Sequence, residues 1–181
     1  MEKREKRSSI IMLIFFIPFL IWALMQFITP LAVPANSVDD LTGLSGVSDN
    51  KNIIDDLPQP WSSIYNCGDK MCHQKADRSF FINGNQMPFC SRCTAIWVGL
   101  AIGLGFLVFY KIPLNAKFLF VIIIGLIPIG IDGLGQLLHF WESTNIMRVI
   151  TGLLIGIVCG IAIGLIIDEI RTIPLFNKSK N

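Results

Sequence analysis

Apolar residues fall in four long runs along the chain, and the segments between the runs carry nearly all of the charge. The runs cover residues 8–28, 94–110, 118–138 and 148–167. A helix of roughly 20 apolar residues, at about 1.5 Å per residue, crosses the ~30 Å hydrocarbon layer of a bilayer. The pattern therefore predicts an all-α fold, a polytopic membrane protein with four transmembrane helices.

The composition agrees with a membrane protein and not with a soluble domain. Of the 181 residues, 52% are hydrophobic and 15% are charged, which is typical of helical proteins that live in a lipid bilayer. The net charge is only +2, and no basic stripe interleaved with aromatic residues occurs. We therefore expect no nucleic-acid partner.

The pattern also divides the chain into five parts. They are a basic head with the first transmembrane helix (residues 1–29), an acidic flexible linker (30–60), a Cys/His module (61–94), a three-helix transmembrane core (95–171) and a tail (172–181). A basic head before an apolar run also fits a secretory signal peptide, with cleavage near residues 33–36. Because the run is long for a signal core and prolines crowd that region, a retained first helix is favoured.

Lysine and arginine residues near the helix ends predict the orientation. The head, the turn with Lys111 and Lys117, and the tail after Arg171 (with Lys178 and Lys180) are basic, and four spans place all three on one side. By the positive-inside rule that side is the cytoplasm. We expect a multi-pass cell-membrane protein with both termini inside and the Cys/His module extracytoplasmic.

Glycines recur at four-residue spacing in two of the predicted spans. Such ridges let helix backbones approach closely, so that van der Waals contact supplies an attraction that lipid cannot. Tight packing inside one bundle is the favoured interpretation, and the alternatives are a dimer face in a homo-oligomer or a conduit. The glycines are Gly99 and Gly103 in the second span and Gly152, Gly156, Gly160 and Gly164 in the fourth.

The segment before the second span concentrates the thiol chemistry, with four of the five cysteines and one of the two histidines. Thiolate and imidazole ligands at such spacing can surround a tetrahedral metal ion, usually zinc. The candidate ligands are Cys72, His73, Cys90 and Cys93. Cys67 is a substitute or extra ligand, because adjacent Cys72 and His73 need not both reach one ion.

Two other interpretations of these cysteines stay open. An extracytoplasmic location permits disulfide bonds, and Cys90-x2-Cys93 at a helix start also fits catalytic thiols with a lowered pKa. A c-type haem site is not indicated, because His73 follows Cys72 without a preceding C-x-x-C. The polar residues around the cysteines are expected to form loop hydrogen bonds; they are Arg78, Asn83, Asn85, Gln86 and Arg92. The alternative for the two arginines is contact with a phosphate group.

Three polar residues interrupt the apolar runs and form the candidate catalytic group. Asp132 and Gln136 lie one turn apart in the third span, and Arg148 opens the fourth. A carboxylate in hydrocarbon is costly unless it is paired or hydrated, so it is a functional candidate. We expect Arg148 to pair with Asp132, because both lie at the outer ends of adjacent helices. A purely structural clasp is the alternative.

Three sequence blocks resemble an uncharacterised family of small prokaryotic membrane proteins, of the domain-of-unknown-function kind. The blocks are CHQKADRSFFINGNQMPFCSRCT, IDGLGQ and N-x2-R-x2-TG. The resemblance covers about residues 67–164 and implies a three-span core with the same polar blocks. Ala95 departs from it, since a glycine is expected after RCT. The resemblance implies no particular reaction.

These observations lead to one functional hypothesis and two alternatives. The hypothesis is a metal site over the Asp132, Gln136 and Arg148 pocket, acting on a lipid or small-molecule substrate at the headgroup level. In it the metal activates water, Asp132 serves as acid or base, and Arg148 holds an anionic group. The alternatives are a membrane thiol-disulfide oxidoreductase using Cys90 and Cys93, and a non-enzymatic membrane or assembly protein with a structural metal.

Overall fold

A computed structural model describes residues 2–44, 46–112 and 115–170, without the side chains of residues 2–9, 116, 117 and 119. The predicted basic tail, with Arg171, Lys178 and Lys180, lies outside these ranges. The helices are α1 (Glu2–Ala32), α2 (Lys51–Ile54), α3 (Trp61–Met71), α4 (Ser91–Phe109), α5 (Ala116–Leu137) and α6 (Asn145–Ile170). A 3-10 turn at Ala76–Arg78 precedes two short antiparallel strands, β1 (Phe81–Ile82) and β2 (Asn85–Gln86).

Four of the described helices are long and apolar enough to cross a membrane. The candidate spans are Ile10–Ala32, Ser91–Phe109, Phe120–Leu137 and Asn145–Ile170. Each overlaps one of the four predicted runs, so the all-α, four-span membrane fold is confirmed.

Helices α4 and α6 form the centre of the bundle, and their glycine ridges face each other. A Cβ atom on Gly99 of α4 would lie 2.6 Å from the carbonyl oxygen of Leu153 in α6. A Cβ atom on Gly152 of α6 would lie 2.6 Å from the carbonyl oxygen of Arg92 in α4. The glycines thus pack within one chain, and they bring the first turns of α4 and α6 side by side.

Aromatic side chains join α1 to α4. The Trp22 ring makes edge contacts with Trp97 of α4 and with Phe89 just before it, at centroid distances of 6.0 and 5.9 Å. Helix α5 packs against α6 and leaves most of its apolar surface exposed. Its Asp132 is nevertheless buried, which makes this residue the main polar connection between α5 and the rest of the bundle.

The segment between α1 and α3 corrects the expectation of a flexible linker. Val38, Leu41 and Ile54 are completely buried there, in one cluster with Tyr65 of α3. The apolar side chains of this segment are isolated among polar and acidic residues, and each is buried separately. The segment therefore shows no helical period in its sequence. An irregular buried backbone needs other partners for its polar groups.

Two buried side-chain amides in strand β2 supply those partners. The Asn85 Oδ1 atom accepts hydrogen bonds from the backbone N–H groups of Ser37 (2.8 Å) and Val38 (3.0 Å), and its Nδ2 atom donates to the carbonyls of Pro30 and Pro34 (both 2.9 Å). The next amide, Gln86 Oε1, accepts from the Leu41 N–H group at 2.9 Å. Asn85 and Gln86 are therefore loop hydrogen-bonders, as expected from the sequence.

We expect Asn85→Ala to loosen residues 34–41 while leaving the membrane helices intact. Each buried backbone group that loses its partner costs about 1–3 kcal/mol, and this substitution removes the partner of several. Hydrogen exchange followed by mass spectrometry should show faster exchange at Ser37 and Val38. Asn52→Ala, on an exposed position of α2, is the control, and equal exchange in the two variants would contradict the role assigned to Asn85.

Candidate metal centre and the adjoining cavity

Three cysteines from two separate segments meet at the start of α4. Cys72 follows the last residue of α3, Cys90 is the N-cap of α4, and Cys93 lies in its first turn. Their sulfur atoms all lie within 4.8 Å of one another. Thiolates bound at ~2.3 Å to a tetrahedral zinc ion are roughly 3.8 Å apart, so the donor type and the spacing fit a zinc ion.

The chain around Gly68 explains why the two segments approach so closely. The carbonyl oxygen of Pro88 occupies the space that a Cβ atom on Gly68 would need. The same oxygen accepts a hydrogen bond from Gln74 Nε2 at 2.7 Å. The backbone N–H group of Cys90 then donates to Cys72 Sγ at 3.4 Å. These contacts hold the two cysteine-bearing segments together without a disulfide bond between them.

The electrostatics of the cluster favour a thiolate at Cys90. Hydrogen bonds from the Cys72 and Cys93 thiols lower the pKa of Cys90 well below its ordinary value. The same bond with Cys90 raises the pKa of Cys72, and burial adds to that rise. A metal ion that replaces the shared protons would satisfy all three sulfur atoms at once, because the thiolate is the form that binds metal.

The other two predicted ligands, His73 and Cys67, stand apart from this trio. Cys72 has an extended backbone conformation (φ −139°, ψ 152°), and successive side chains on extended backbone point to opposite sides. His73 is therefore exposed and lines the adjoining cavity, outside the group of three sulfur atoms. The Cys67 sulfur instead contacts Met71 Sδ at 3.5 Å on α3.

Asp132 pairs with Arg92 of α4, and this corrects the predicted pair with Arg148. Arg92 Nη2 binds Asp132 Oδ2 in a partly buried ion pair. The same carboxylate accepts hydrogen bonds from Gln136 Nε2 (3.1 Å) and from Trp141 Nε1 (3.4 Å). Arg148 is also buried, but its Nη1 atom donates to Asn145 Oδ1 at 3.1 Å.

Arg92 is the residue that sequence reasoning missed. It lies between two of the cysteines, and the sequence does not predict it as the partner of Asp132. Its sequence signal is its place in the first turn of an apolar helix. Arg92 and Arg148 can each pair with the Asp132 carboxylate from such a position. The rotation of α4 about its axis decides which of the two arginines reaches it.

A cavity of about 480 Å³ joins the thiol trio to the polar residues of the membrane helices. Gln136 of α5 and Arg148 of α6 contribute to its wall, as do both guanidinium groups of the cysteine module. The lining residues are Met71, Cys72, His73, Lys75, Arg78, Cys90, Arg92, Cys93, Gln136 and Arg148. Residues from distant parts of the sequence thus share one cavity.

Asn145, at the start of α6, holds two walls of this cavity together. Its Oδ1 atom accepts hydrogen bonds from Arg148 Nη1 and from Ser91 Oγ at 2.9 Å. The single Ser91 hydroxyl proton is shared with the carbonyl oxygen of Arg78, 3.0 Å from Ser91 Oγ. Asn145 Nδ2 donates to the carbonyl of Asp77 at 3.4 Å. The 3-10 turn, α4 and α6 are therefore fixed relative to one another at this point.

Known proteins are similar to this chain in the region that contains the three cysteines and most of the cavity wall. A family model described as "Predicted membrane protein (DUF2085)" matches residues 72–163. An uncharacterised protein of Methanocaldococcus jannaschii is 42% identical over 92 residues, which are 48% of this chain and 56% of that protein. An uncharacterised protein of Methanothermobacter thermautotrophicus is 36% identical over 87 residues, 48% of this chain and 78% of that protein. The chain thus spans little more than half of the first relative, and no solved structure shows significant similarity.

Proposed function

The chain belongs to the DUF2085 family of membrane proteins, and we propose that it binds a metal ion through Cys72, Cys90 and Cys93. Zinc is the favoured metal. The centre stands over a pocket with Asp132, Gln136 and Arg148. The Cys/His module lies on the extracytoplasmic side, so that the pocket opens at the level of the lipid headgroups. Its substrate is then a lipid or a small molecule.

The observation that carries this proposal is the convergence of the cysteine trio and the membrane polar residues on one cavity. The three sulfur atoms lie within 4.8 Å of one another, and Gln136 and Arg148 line the same 480 Å³ space. A structural zinc site normally has four protein ligands, whereas a site with three leaves a position for water or substrate. His73 lines the same cavity, outside the group of three sulfur atoms.

Some pocket residues are placed to bind a ligand, and others position the residues that bind it. A zinc ion supplies Lewis-acid chemistry and lowers the pKa of bound water. Both oxygens of Asp132 already accept hydrogen bonds from Arg92, Gln136 and Trp141. This arrangement favours a carboxylate that positions Arg92 and Gln136 over one that carries a proton. Arg148, which has only an amide partner among the described side chains, is the residue free to meet a ligand.

Metal analysis of the purified full-length protein tests the centre. We expect about one zinc per chain in the wild type and a loss of tenfold or more in Cys90→Ser, because removing one of three thiolates removes most of the affinity. Cys67→Ser is the matched control, since its sulfur contacts Met71, and its zinc content should equal that of the wild type. A wild-type protein without stoichiometric metal would refute the proposal.

A thiol-disulfide oxidoreductase is the second candidate function. It is favoured by the low pKa of Cys90 beside two further thiols, since a thiolate is the attacking species in disulfide exchange. Alkylation followed by mass spectrometry separates the two candidates. A Cys90–Cys93 disulfide that forms with an oxidant and disappears with a reductant supports redox chemistry, whereas thiols protected until a chelator is added support the metal centre.

A further inference from the structure

We propose that the cavity beside the thiol trio binds a phosphate group, held by Arg78 and Arg148 with Lys75 at the rim. This inference rests on the proposed function for its pocket, and it adds the chemical class of the ligand. It does not depend on which metal the cysteines hold, because the groups that would bind the anion are on other residues.

The charges of the cavity wall are unbalanced toward the cationic side. Asp132 neutralises Arg92. The Asp77 carboxylate lies 3.6 Å from Arg78 Nε, but the Asp77 side chain is 67% exposed, so water weakens its attraction to Arg78. Arg148 is only 5% exposed, and its partner within the described part of the chain is the amide of Asn145. A buried guanidinium without a carboxylate is costly, and a bound anion would remove that cost.

The metal centre does not remove this imbalance. Three thiolates on a divalent ion carry a net charge of about −1, which is less than the combined charge of Lys75, Arg78 and Arg148. The wall opposite the cysteines therefore stays positive whether the ion is bound or not. An anionic ligand fits this wall, and a cationic or neutral ligand would leave Arg148 uncompensated.

The Arg148 guanidinium is held in place before any ligand arrives, and the backbone of Arg78 is anchored beside it. Asn145 binds Arg148 Nη1 directly, and Ser91 links Asn145 to the carbonyl of Arg78. A planar guanidinium presents two parallel N–H groups to a phosphate, and fixing the group beforehand reduces the entropy lost on binding. Two such groups and an ammonium suit the several oxygens of a phosphate better than the two oxygens of one carboxylate.

The phosphate of a phospholipid headgroup and that of a soluble ester share this chemistry, so the test has two arms. In the first, full-length protein in detergent is titrated calorimetrically with inorganic phosphate. In the second, native mass spectrometry counts phosphatidylglycerol retained by the same protein. Arg78→Gln and Arg148→Lys are compared with Lys70→Gln, an exposed lysine outside the cavity wall, and zinc is measured on every sample.

We expect binding about tenfold weaker in Arg78→Gln and Arg148→Lys, because each loses a charged hydrogen bond, and unchanged binding in Lys70→Gln. Binding of inorganic phosphate supports a soluble ester, and binding of phosphatidylglycerol alone supports a lipid headgroup. Arg78→Gln changes a half-exposed loop residue, so its result does not depend on the folding of an Arg148 variant. Zinc with no anion binding in either arm, or binding unaffected by Arg78→Gln and Arg148→Lys, overturns this inference alone. Anion binding without zinc overturns the metal centre alone.

Discussion

Asp132→Asn is expected to destabilise the folded protein by about 2–3 kcal/mol, because Arg92 keeps its charge in a site built around a carboxylate. The Asp132 side chain is 5% exposed, so water cannot take the place of the lost charge there. The Arg92 side chain is 23% exposed, which lets water reach part of the guanidinium and keeps the loss below that of a fully buried pair. Gln136 and Trp141 donate to different oxygens of Asp132, so asparagine, which has one acceptor oxygen, also loses one of these two hydrogen bonds.

A double-mutant cycle isolates the interaction between the two side chains. Asp132→Asn, Arg92→Gln and the combined variant are unfolded by denaturant in the same detergent, and a coupling energy of about 1–3 kcal/mol is expected. Glu142→Gln is the control, because Glu142 is exposed in the turn between α5 and α6 and should change the free energy of unfolding little. Losses that simply add would show that Asp132 and Arg92 do not interact.

The same variants separate a working pocket from a structural clasp. If the ion pair only fastens α5 to α4, the combined Arg92→Gln and Asp132→Asn variant should regain stability and keep the zinc and phosphate affinities of the wild type. If the pair positions the pocket, that variant should fold and yet bind phosphate more weakly. The second result is expected, because Arg92 and Gln136 line the cavity and both bind this carboxylate.

The membrane helices could be predicted from the sequence because a bilayer imposes a length and a polarity that hydropathy records directly. The meeting of Cys72, Cys90 and Cys93 could also be anticipated, since a metal site, a disulfide bond and a catalytic thiol pair all bring such cysteines close together. The partner of Asp132 could not be predicted. Arg92 and Arg148 begin adjacent helices at the same depth, and only the rotation set by the glycine contacts selects between them.

Two other predictions, the flexible linker and His73 as a metal ligand, differ from the structure because of contacts between residues distant in sequence. The sequence predicts a flexible linker over residues 30–60 because the apolar side chains there have no helical period. Their burial depends on Tyr65 and on the amides of Asn85 and Gln86, which lie far along the chain. His73 read as a ligand because it adjoins Cys72. The extended backbone at Cys72, which turns the imidazole into the cavity, follows from the end of α3 and not from local composition.

Gly156→Ala and Gly130→Ala are expected to have effects of opposite sign, although both replace a glycine within a membrane helix. A Cβ atom on Gly156 would lie 2.8 Å from the Cα atom of Gly99 and closer still to the carbonyl oxygen of Ile96. Backbone cannot give way as a flexible side chain can, so α4 and α6 must separate, at a cost of about 1–3 kcal/mol or more. A Cβ atom on Gly130 of α5 would meet nothing within 4 Å. Alanine there should stabilise the helix by up to about 1 kcal/mol through its higher helix propensity.

The separation of α4 from α6 should also reach the metal centre and the cavity. Cys93 and Arg92 lie in the first turn of α4, and Arg148 lies in the first turn of α6, so the glycine contacts set the distance across the cavity wall. We expect Gly156→Ala to lower phosphate affinity as well as the free energy of unfolding, and Gly130→Ala to leave the affinity unchanged. Denaturant unfolding and phosphate titration of the two variants in the same detergent give both quantities. Equal stability of the two variants would mean that α4 and α6 are not held together by their glycines, and that the wall is positioned by other contacts.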